Sequence, residues 1–261
     1  METVTSRDGT AIAFDRMGEG PPVILVTGGS VDRMSNAPLA QELASDFTVL
    51  NYDRRGRGPS GDTPPYAIER EIENIEAVLE AAGGSANLFG TSSGAALALQ
   101  AAAAGLPVTK LALWEPPYIL DEEARPPKDQ VEQYETMVAE GRRGDAAEYF
   151  MTKVVGMPPE FAAQARNEPW WPSQQALAHT LAYDARIMGD YSLPTDEASA
   201  VKIPTIVIAG GADMPFMRET AQALADALPD GQVKFLDGQG HNVDPTDLAP
   251  ALKEFFERAL A

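Results

Sequence analysis

A serine stands between two glycines in the segment Gly90-Thr91-Ser92-Ser93-Gly94, which follows an apolar run and precedes a stretch rich in alanine. This pattern predicts a short buried strand that turns sharply into a helix, with Ser92 at the bend. Glycines are needed on both sides because such a turn leaves no room for Cβ atoms. The turn exposes the Ser92 hydroxyl at a helix N-terminus, where backbone N–H groups stabilise negative charge on a reacting oxygen. The segment indicates a nucleophilic serine, and a Gly/Ser-rich turn before an ordinary helix is the alternative interpretation.

A serine hydroxyl needs a base to accept its proton, and histidine is the side chain with a suitable pKa. The chain has two histidines, and His241 follows the last predicted strand, in Gly-Gln-Gly-His-Asn. Asp213 follows the preceding strand, in Gly-Gly-Ala-Asp. We expect His241 to be the base and Asp213 to hold the correct tautomer of its ring. Glu115, at the end of an earlier strand, is the alternative acid.

The elements that must position these residues alternate between strands and helices. Apolar or alternating runs predict eight strands, the first two joined into an antiparallel hairpin by an Asp8-Gly9 turn, at 3–6, 10–15, 23–26, 47–52, 86–89, 108–114, 204–209 and 232–236. A closing amphipathic helix carries Leu248, Leu252, Phe255, Phe256 and Leu260. Such alternation predicts an α/β fold with a mostly parallel central sheet and helices on both faces. Ligands of these sheets bind at the carboxyl ends of the strands, where the candidate residues stand: Ser92, Asp213 and His241.

The segment from 119 to 202 shows three helical patterns, around 131–138, 146–155 and 174–188, and no strand signal. We predict an inserted helical cap over 119–202 and a core domain formed by 1–118 and 203–261. Several large side chains are candidates for a pocket beneath the cap, or for the interior of the cap itself: Tyr118, Met151, Met157, Trp170, Trp171 and Met188. His179 is expected to be exposed on its helix, with contact to a substrate as the alternative.

The stretch from Gly56 to Gly61 contains the pattern GxGxxG after a predicted strand, as dinucleotide-binding loops do. In those loops a helix must begin within the pattern so that its N–H groups face a pyrophosphate. Pro59 lacks an N–H and Pro64-Pro65 delays the next helix, so we reject a dinucleotide cofactor. The nearby arginines are expected to balance acidic side chains, with recognition of a substrate carboxylate as the alternative: Arg54, Arg55 and Arg57.

Composition excludes several classes of function. Lys and Arg total 20 against 39 Asp and Glu, a formal net charge of −19, which argues against nucleic acid or an anionic membrane as partner. The absence of cysteine excludes disulfides and thiolate chemistry. His179 and His241 form no ligand pair, so we expect neither a metal nor another cofactor. With no pattern of a signal peptide or a membrane span, we expect a cytoplasmic monomer or homodimer.

These motifs together make the chain similar to the α/β-hydrolase superfamily over nearly its whole length. The markers are the bend at Gly90–Gly94, the segments ending at Asp213 and His241, and the loop 53–60. The resemblance implies Ser92 as nucleophile, Asp213 as acid and His241 as base. It also implies an oxyanion hole built from the backbone N–H groups of Gly29 and Ser93. Ser30 is an alternative donor, because this chain has Thr27-Gly28 where many members have His-Gly.

The resemblance and the serine at the bend predict acyl chemistry. Epoxide hydrolases and haloalkane dehalogenases of similar fold use an aspartate at this position, so Ser92 excludes their reactions. We expect a cofactor-independent serine hydrolase that cleaves a small to medium ester, thioester or lactone through an acyl-enzyme, with a small-molecule acyl substrate. The alternatives are C–C bond hydrolysis, perhydrolysis or a lyase reaction on the same triad, and a ligand receptor with little turnover.

Overall fold

The structure, a computed structural model, describes residues 1–258. Its eight strands are β1 Glu2–Thr5, β2 Ala11–Met17, β3 Pro22–Val26, β4 Thr48–Tyr52, β5 Ala86–Thr91, β6 Val108–Trp114, β7 Thr205–Ala209 and β8 Gly231–Phe235. They form one sheet in the order β1-β2-β4-β3-β5-β6-β7-β8. β2 pairs antiparallel with β1 and β4, and all other neighbours are parallel. The predicted α/β fold is confirmed, and each predicted strand lies within two residues of the observed one.

The described residues also form eleven α-helices: α1 Ala37–Leu43, α2 Ile68–Ala81, α3 Ser93–Ala103, α4 Gln130–Ala139, α5 Arg143–Tyr149, α6 Pro159–Ala165, α7 Trp171–Leu177, α8 Leu181–Met188, α9 Thr195–Ala200, α10 Phe216–Ala227 and α11 Pro245–Glu257. The closing amphipathic helix is α11, and the predicted position Leu260 lies outside the described residues. No helix among residues 1–258 has the length and apolar character needed to cross a lipid bilayer.

The sheet is buried on both faces by helices. Successive side chains of a strand point to opposite sides, so β3 contributes to an apolar cluster on each face. Ile24 and Val26 of β3 pack in one apolar cluster with α2, α3 and α10. Val23 and Leu25 pack in a second cluster with α1 and α11. Burial on two faces explains why β3 reads as a continuous apolar run rather than as an alternating one.

Between β6 and β7 the chain forms helices and no strand, and we call residues 119–202 the inserted helical segment. The three predicted helical patterns correspond to α4, to α5 with the π-helical turn Phe150–Val154, and to α7 with α8. Helices α6 and α9 were not predicted, because seven and six residues are too few for a clear period. Ala198 of α9 packs in the same apolar cluster as α3, so the end of the segment joins the main core.

Helix α3 begins very close to the sheet, and a glycine on each side of the bend, Gly90 in β5 and Gly94 in α3, allows this approach. A Cβ atom on Gly94 would overlap the carbonyl oxygen of Thr27 and would lie 2.6 Å from that of Val26. A Cβ atom on Gly90 would lie 2.6 Å from the Cα atom of Ala95. Backbone atoms cannot move aside as the end of a flexible side chain can. The predicted need for glycine on both sides of the bend is therefore confirmed.

The Asp8-Gly9 turn between β1 and β2 is held by an aspartate that bonds in two directions. Asp8 Oδ1 accepts a hydrogen bond from the backbone N–H of Thr10 at 3.0 Å, and Oδ2 lies 2.9 Å from Arg55 Nη2. Partial burial raises the pKa of Asp8, but the hydrogen bonds from Thr10 and the bond and charge of Arg55 outweigh it and lower the pKa to about 2. The turn thus attaches the antiparallel edge of the sheet to the loop after β4.

We expect Gly94→Ala to lower the free energy of unfolding by about 2–3 kcal/mol, because the added methyl group overlaps backbone atoms. Alanine is the better helix former by about 1 kcal/mol, which opposes this loss without cancelling it. Gly144→Ala in α5 is the matched control, because the nearest atom to its Cβ would be Gln175 Nε2 at 3.2 Å, at the end of a flexible side chain. Urea unfolding compares the variants, and equal stabilities would contradict the prediction.

We expect Asp8→Asn to lower the free energy of unfolding at pH 7 by about 1–2 kcal/mol. Solvent screens the partly exposed carboxylate, which keeps this loss small. Since the folded-state pKa lies below the ordinary value of 3.8, the ionised carboxylate stabilises the fold fully above that value. The difference between wild type and variant should therefore shrink as the pH falls below about 4. Urea unfolding between pH 7 and pH 3 measures it, with the exposed Glu19→Gln as control. A difference that does not change with pH would refute the assignment.

Candidate active site

Ser92 occupies the bend between β5 and α3 in a strained backbone conformation. Its φ is 55° and its ψ is −130°, a left-handed φ that side-chain-bearing residues rarely adopt and that costs about 1–3 kcal/mol. The bend is held because the Ser92 N–H donates to the Trp114 carbonyl oxygen at 2.9 Å, while the Ser92 carbonyl accepts from the Ala95 N–H at 2.9 Å. The side chain lies at a half-buried position beside a cavity.

The ring of His241 contacts Glu115 rather than Asp213. His241 Nδ1 lies 2.8 Å from Glu115 Oε2, and because an ionised carboxylate only accepts hydrogen bonds, Nδ1 is the ring nitrogen that donates. Asp213 instead accepts from the backbone N–H of His241, at 2.9 and 3.1 Å. We predicted that Asp213 holds the ring; in the structure Asp213 contacts the backbone of His241, and Glu115 contacts the imidazole.

Glu115 is placed for this contact by its backbone and by its burial. It follows β6 directly, with a left-handed φ of 41°, and its side chain is fully buried. Its second oxygen, Oε1, accepts hydrogen bonds from the N–H groups of Gly210 and Gly211, at 2.9 and 3.0 Å. Asp213, by contrast, occupies an exposed position. The sequence signal for Glu115 is a carboxylate at a strand end, the same signal that favoured Asp213.

The candidate residues share one cavity of about 990 Å³. Ser92, His241, Asp213, Gly29 and Ser93 all line it. Within residues 1–258 no hydrogen bond joins the Ser92 hydroxyl to the His241 ring. The part of the wall that comes from the inserted helical segment is mostly apolar and includes Phe150, Val154, Val155, Met157, Met188 and Tyr191.

Gly29 and Ser93 line the same cavity from two different segments of the chain. Gly29 belongs to the loop after β3, and Ser93 is the first residue of α3. Across the described part of the chain, neither N–H donates to a protein acceptor. A Cβ atom on the adjacent Gly28 would lie 2.9 Å from that of Ser92, so this loop passes directly beside the serine.

Of the side chains considered for the pocket, Met157 and Met188 line the cavity. Met151 and Trp171 instead pack inside the inserted helical segment, and Tyr118 packs in the main core. Trp170 is exposed. His179 is half-buried rather than exposed, with Nδ1 3.1 Å from the Ala176 carbonyl oxygen, and it does not line the cavity.

The three arginines after β4 are fully buried and paired, as the acid-balancing interpretation predicted. Arg54 contacts Glu71 and Asp184, Arg57 contacts Asp184, and Arg55 contacts Asp8. Within residues 1–258, no group of three or more histidine and acidic side chains is arranged to hold a metal ion.

Comparison with known proteins agrees with this architecture. An α/β hydrolase from Sphaerobacter thermophilus is 54% identical to this chain, with a TM-score of 0.91, covering 98% of this chain and 100% of that one. A thermophilic esterase from Thermogutta terrifontis is 25% identical, with a TM-score of 0.72, covering 98% of this chain and 97% of that one. The uncharacterized hydrolase YraK of Bacillus subtilis is 34% identical over 95 residues, which is 35% of each chain.

The matched region spans about two fifths or less of each of the first three curated relatives. The pattern of the Alpha/beta hydrolase family, by contrast, matches residues 23–251, which include β4 to β8, all but the first residue of β3, and all of the candidate site. The chain therefore belongs to the α/β-hydrolase family.

Proposed function

We propose that this protein is a serine hydrolase that cleaves a small to medium ester, thioester or lactone through an acyl-enzyme on Ser92. The observation that carries the proposal is the 2.8 Å contact between His241 Nδ1 and the buried Glu115 carboxylate, at the wall of the cavity that Ser92 also lines. A base whose ring is held by a buried carboxylate, near a strained serine, is the arrangement that acyl transfer requires. In this proposal Glu115 takes the role of triad acid in place of Asp213.

In the first half of the reaction, Ser92 Oγ attacks the carbonyl carbon of the substrate and its proton passes to His241 Nε2. Glu115 stabilises the imidazolium that forms and keeps the Nδ1–H tautomer. The N–H groups of Gly29 and Ser93 stabilise the negative oxygen of the tetrahedral intermediate. His241 then returns the proton to the leaving alcohol or thiol, and the acyl group remains on Ser92.

In the second half, His241 takes a proton from water, whose oxygen attacks the acyl carbon. The second tetrahedral intermediate collapses, the carboxylic acid leaves, and Ser92 Oγ recovers its proton from His241. Substrate binding must bring the serine hydroxyl and the ring within hydrogen-bond distance, as is common when a catalytic pair tightens only in the substrate complex.

The cavity wall supports a mainly apolar acyl or alcohol group as the part of the substrate that is recognised. Phe150, Val154 and Met188 of the inserted helical segment contribute to this wall. We propose that residues 119–202 act as a cap that selects the substrate, while 1–118 and 203–261 carry the reacting groups. The relative from Thermogutta terrifontis is an esterase, which agrees with this proposal.

A fluorophosphonate probe tests the nucleophile. We expect one adduct on Ser92 by peptide mapping, and loss of both labelling and turnover of short p-nitrophenyl esters in Ser92→Ala and His241→Ala, by up to about a million-fold in kcat. Ser85→Ala, at an exposed position, is the control and should label normally. Absence of labelling in the folded wild type would refute the proposal, and labelling without ester turnover would favour the receptor or another reaction on the same residues.

A pair of isosteric variants tests which carboxylate orients the base. We expect Glu115→Gln to lower kcat by about a thousand- to ten-thousand-fold. The Gly210 and Gly211 N–H groups need the amide oxygen, so the NH2 group faces Nδ1 and the ring loses the acceptor that fixes its tautomer. Asp213→Asn should lower kcat less than about tenfold, since its amide oxygen still accepts from the His241 N–H. Steady-state kinetics on one ester measures both, with thermal unfolding as a check on folding. A larger loss in Asp213→Asn would restore Asp213 as the acid.

A further inference from the structure

Asp184 of the inserted helical segment reaches into the wall of the candidate active site. It lies on α8, its side chain is buried, and it lines the cavity together with Ser92. Its Oδ1 accepts a hydrogen bond from the Ser93 hydroxyl at 2.8 Å. Ser93 is the residue that follows the nucleophile, so a side chain 91 positions away in sequence contacts the start of α3 directly.

Two buried arginines neutralise this carboxylate. Arg54 Nη1 lies 2.7 Å from Asp184 Oδ1, and Arg57 Nη2 lies 2.7 Å from Oδ2. Arg54 also pairs with Glu71, at 2.6 Å, so two positive charges balance two negative charges. Burial raises the pKa of Asp184, but the charges of Arg57 and Arg54 outweigh it and hold the pKa below its usual value. The carboxylate therefore adds no unbalanced negative charge beside the reacting oxygen.

The same arginines hold the loop that carries Gly29. Arg57 Nη1 donates to the Gly28 carbonyl oxygen and, at 3.2 Å, to that of Val31. Arg54 Nη1 lies 3.4 Å from the Thr27 carbonyl oxygen. The two arginines thus hold the loop by its carbonyl groups. The Gly29 N–H has no protein acceptor in the described part of the chain.

The Asp184 carboxylate lies between the two residues proposed to form the oxyanion hole. A Cβ atom built on Gly29 would lie 3.2 Å from Asp184 Oδ2 and 3.5 Å from Ser93 Oγ. A second contact reaches the same loop from the inserted helical segment, where Gln174 Nε2 donates to the Ser30 carbonyl oxygen at 3.2 Å. The loop after β3 and the start of α3 therefore meet at a group supplied by the inserted helical segment.

We infer that Asp184 is a positioning residue that sets the separation and direction of the Gly29 and Ser93 N–H groups, so that the inserted helical segment completes the oxyanion hole. The inference rests on the proposed function. Oxyanion stabilisation depends on donors that are already oriented before the reaction, and a small rotation of a donor weakens it. Asp184 acts through Ser93 and through the two arginines, and takes no part in proton transfer.

The test compares two variants that each remove one hydroxyl bonded to an aspartate across the boundary between α8 and the core. Ser93→Ala removes the bond to Asp184 but keeps the backbone N–H of residue 93. Tyr183→Phe, the matched control, removes the 2.7 Å bond to Asp62 and keeps the ring stacked on Tyr66, with centroids 3.9 Å apart. The Ser93 bond is buried and the Tyr183 bond is exposed, so thermal unfolding of both variants is measured alongside their kinetics.

We expect Ser93→Ala to lower kcat for a p-nitrophenyl ester about tenfold with KM changed less than about twofold, a fraction of the loss caused by deleting a donor. Affinity for a trifluoromethyl ketone, whose adduct on Ser92 carries the oxyanion, should fall by the same factor as kcat/KM. Asp184→Asn should lower kcat further, and Tyr183→Phe should leave kcat unchanged. If Asp184→Asn does not fold, the comparison of Ser93→Ala with Tyr183→Phe is sufficient by itself to test the inference.

The outcomes separate this inference from the proposed function. Wild-type protein that neither labels on Ser92 nor turns over esters would overturn both. Normal labelling and turnover in the wild type, with kcat and ketone affinity unchanged in Ser93→Ala, would overturn the inference alone. An equal loss of kcat in Tyr183→Phe would also overturn it, because the effect would then come from general docking of the inserted helical segment.

Discussion

The candidate site depends on how one buried carboxylate is satisfied. Removing the Glu115 side chain from water is costly unless hydrogen-bond donors surround it. The donors are the N–H groups of Gly210 and Gly211, after β7, and the ring of His241, after β8. Because these donors belong to two neighbouring strand ends and Glu115 to a third, satisfying the carboxylate fixes the spacing of all three. The position of the imidazole follows from that spacing.

A second set of buried charges links the inserted helical segment to the other side of the site. Buried ion pairs seldom stabilise a fold more than well-packed apolar groups would, since desolvation offsets the attraction between the charges. The cluster of Arg54, Arg57, Asp184 and Glu71 is therefore better understood through the atoms that it orients. It holds carbonyl groups of the loop after β3 and the hydroxyl of Ser93, and both flank the strained serine. The same buried charges therefore cost desolvation free energy and orient the groups around Ser92.

Strain and close packing act together at Ser92. The positive φ of the serine persists because Gly90 and Gly94 let α3 approach the sheet, and because the Ser92 N–H is bonded to Trp114 at the end of β6. The helix that follows begins at the wall of the cavity, which Ser93 lines, so the positive end of its dipole lies near the site. An apolar wall around these dipoles lowers the local dielectric constant and strengthens their interaction with a developing charge.

Local sequence patterns determined the strands, the hairpin at Asp8-Gly9 and the bend at Ser92, because apolar period, turn chemistry and glycine placement act over a few residues. They also determined that His241 would stand at a strand end. Only the tertiary structure decided which carboxylate reaches its ring: Asp213, 28 residues away in sequence, bonds the backbone, whereas Glu115, 126 residues away, bonds the imidazole. The contacts of Asp184 could not be predicted from the sequence either, since the residues around an aspartate in a short helix do not indicate which distant groups it contacts. Both depend on which side chains meet when elements distant in sequence pack together. A pattern of a few residues holds no information about such contacts.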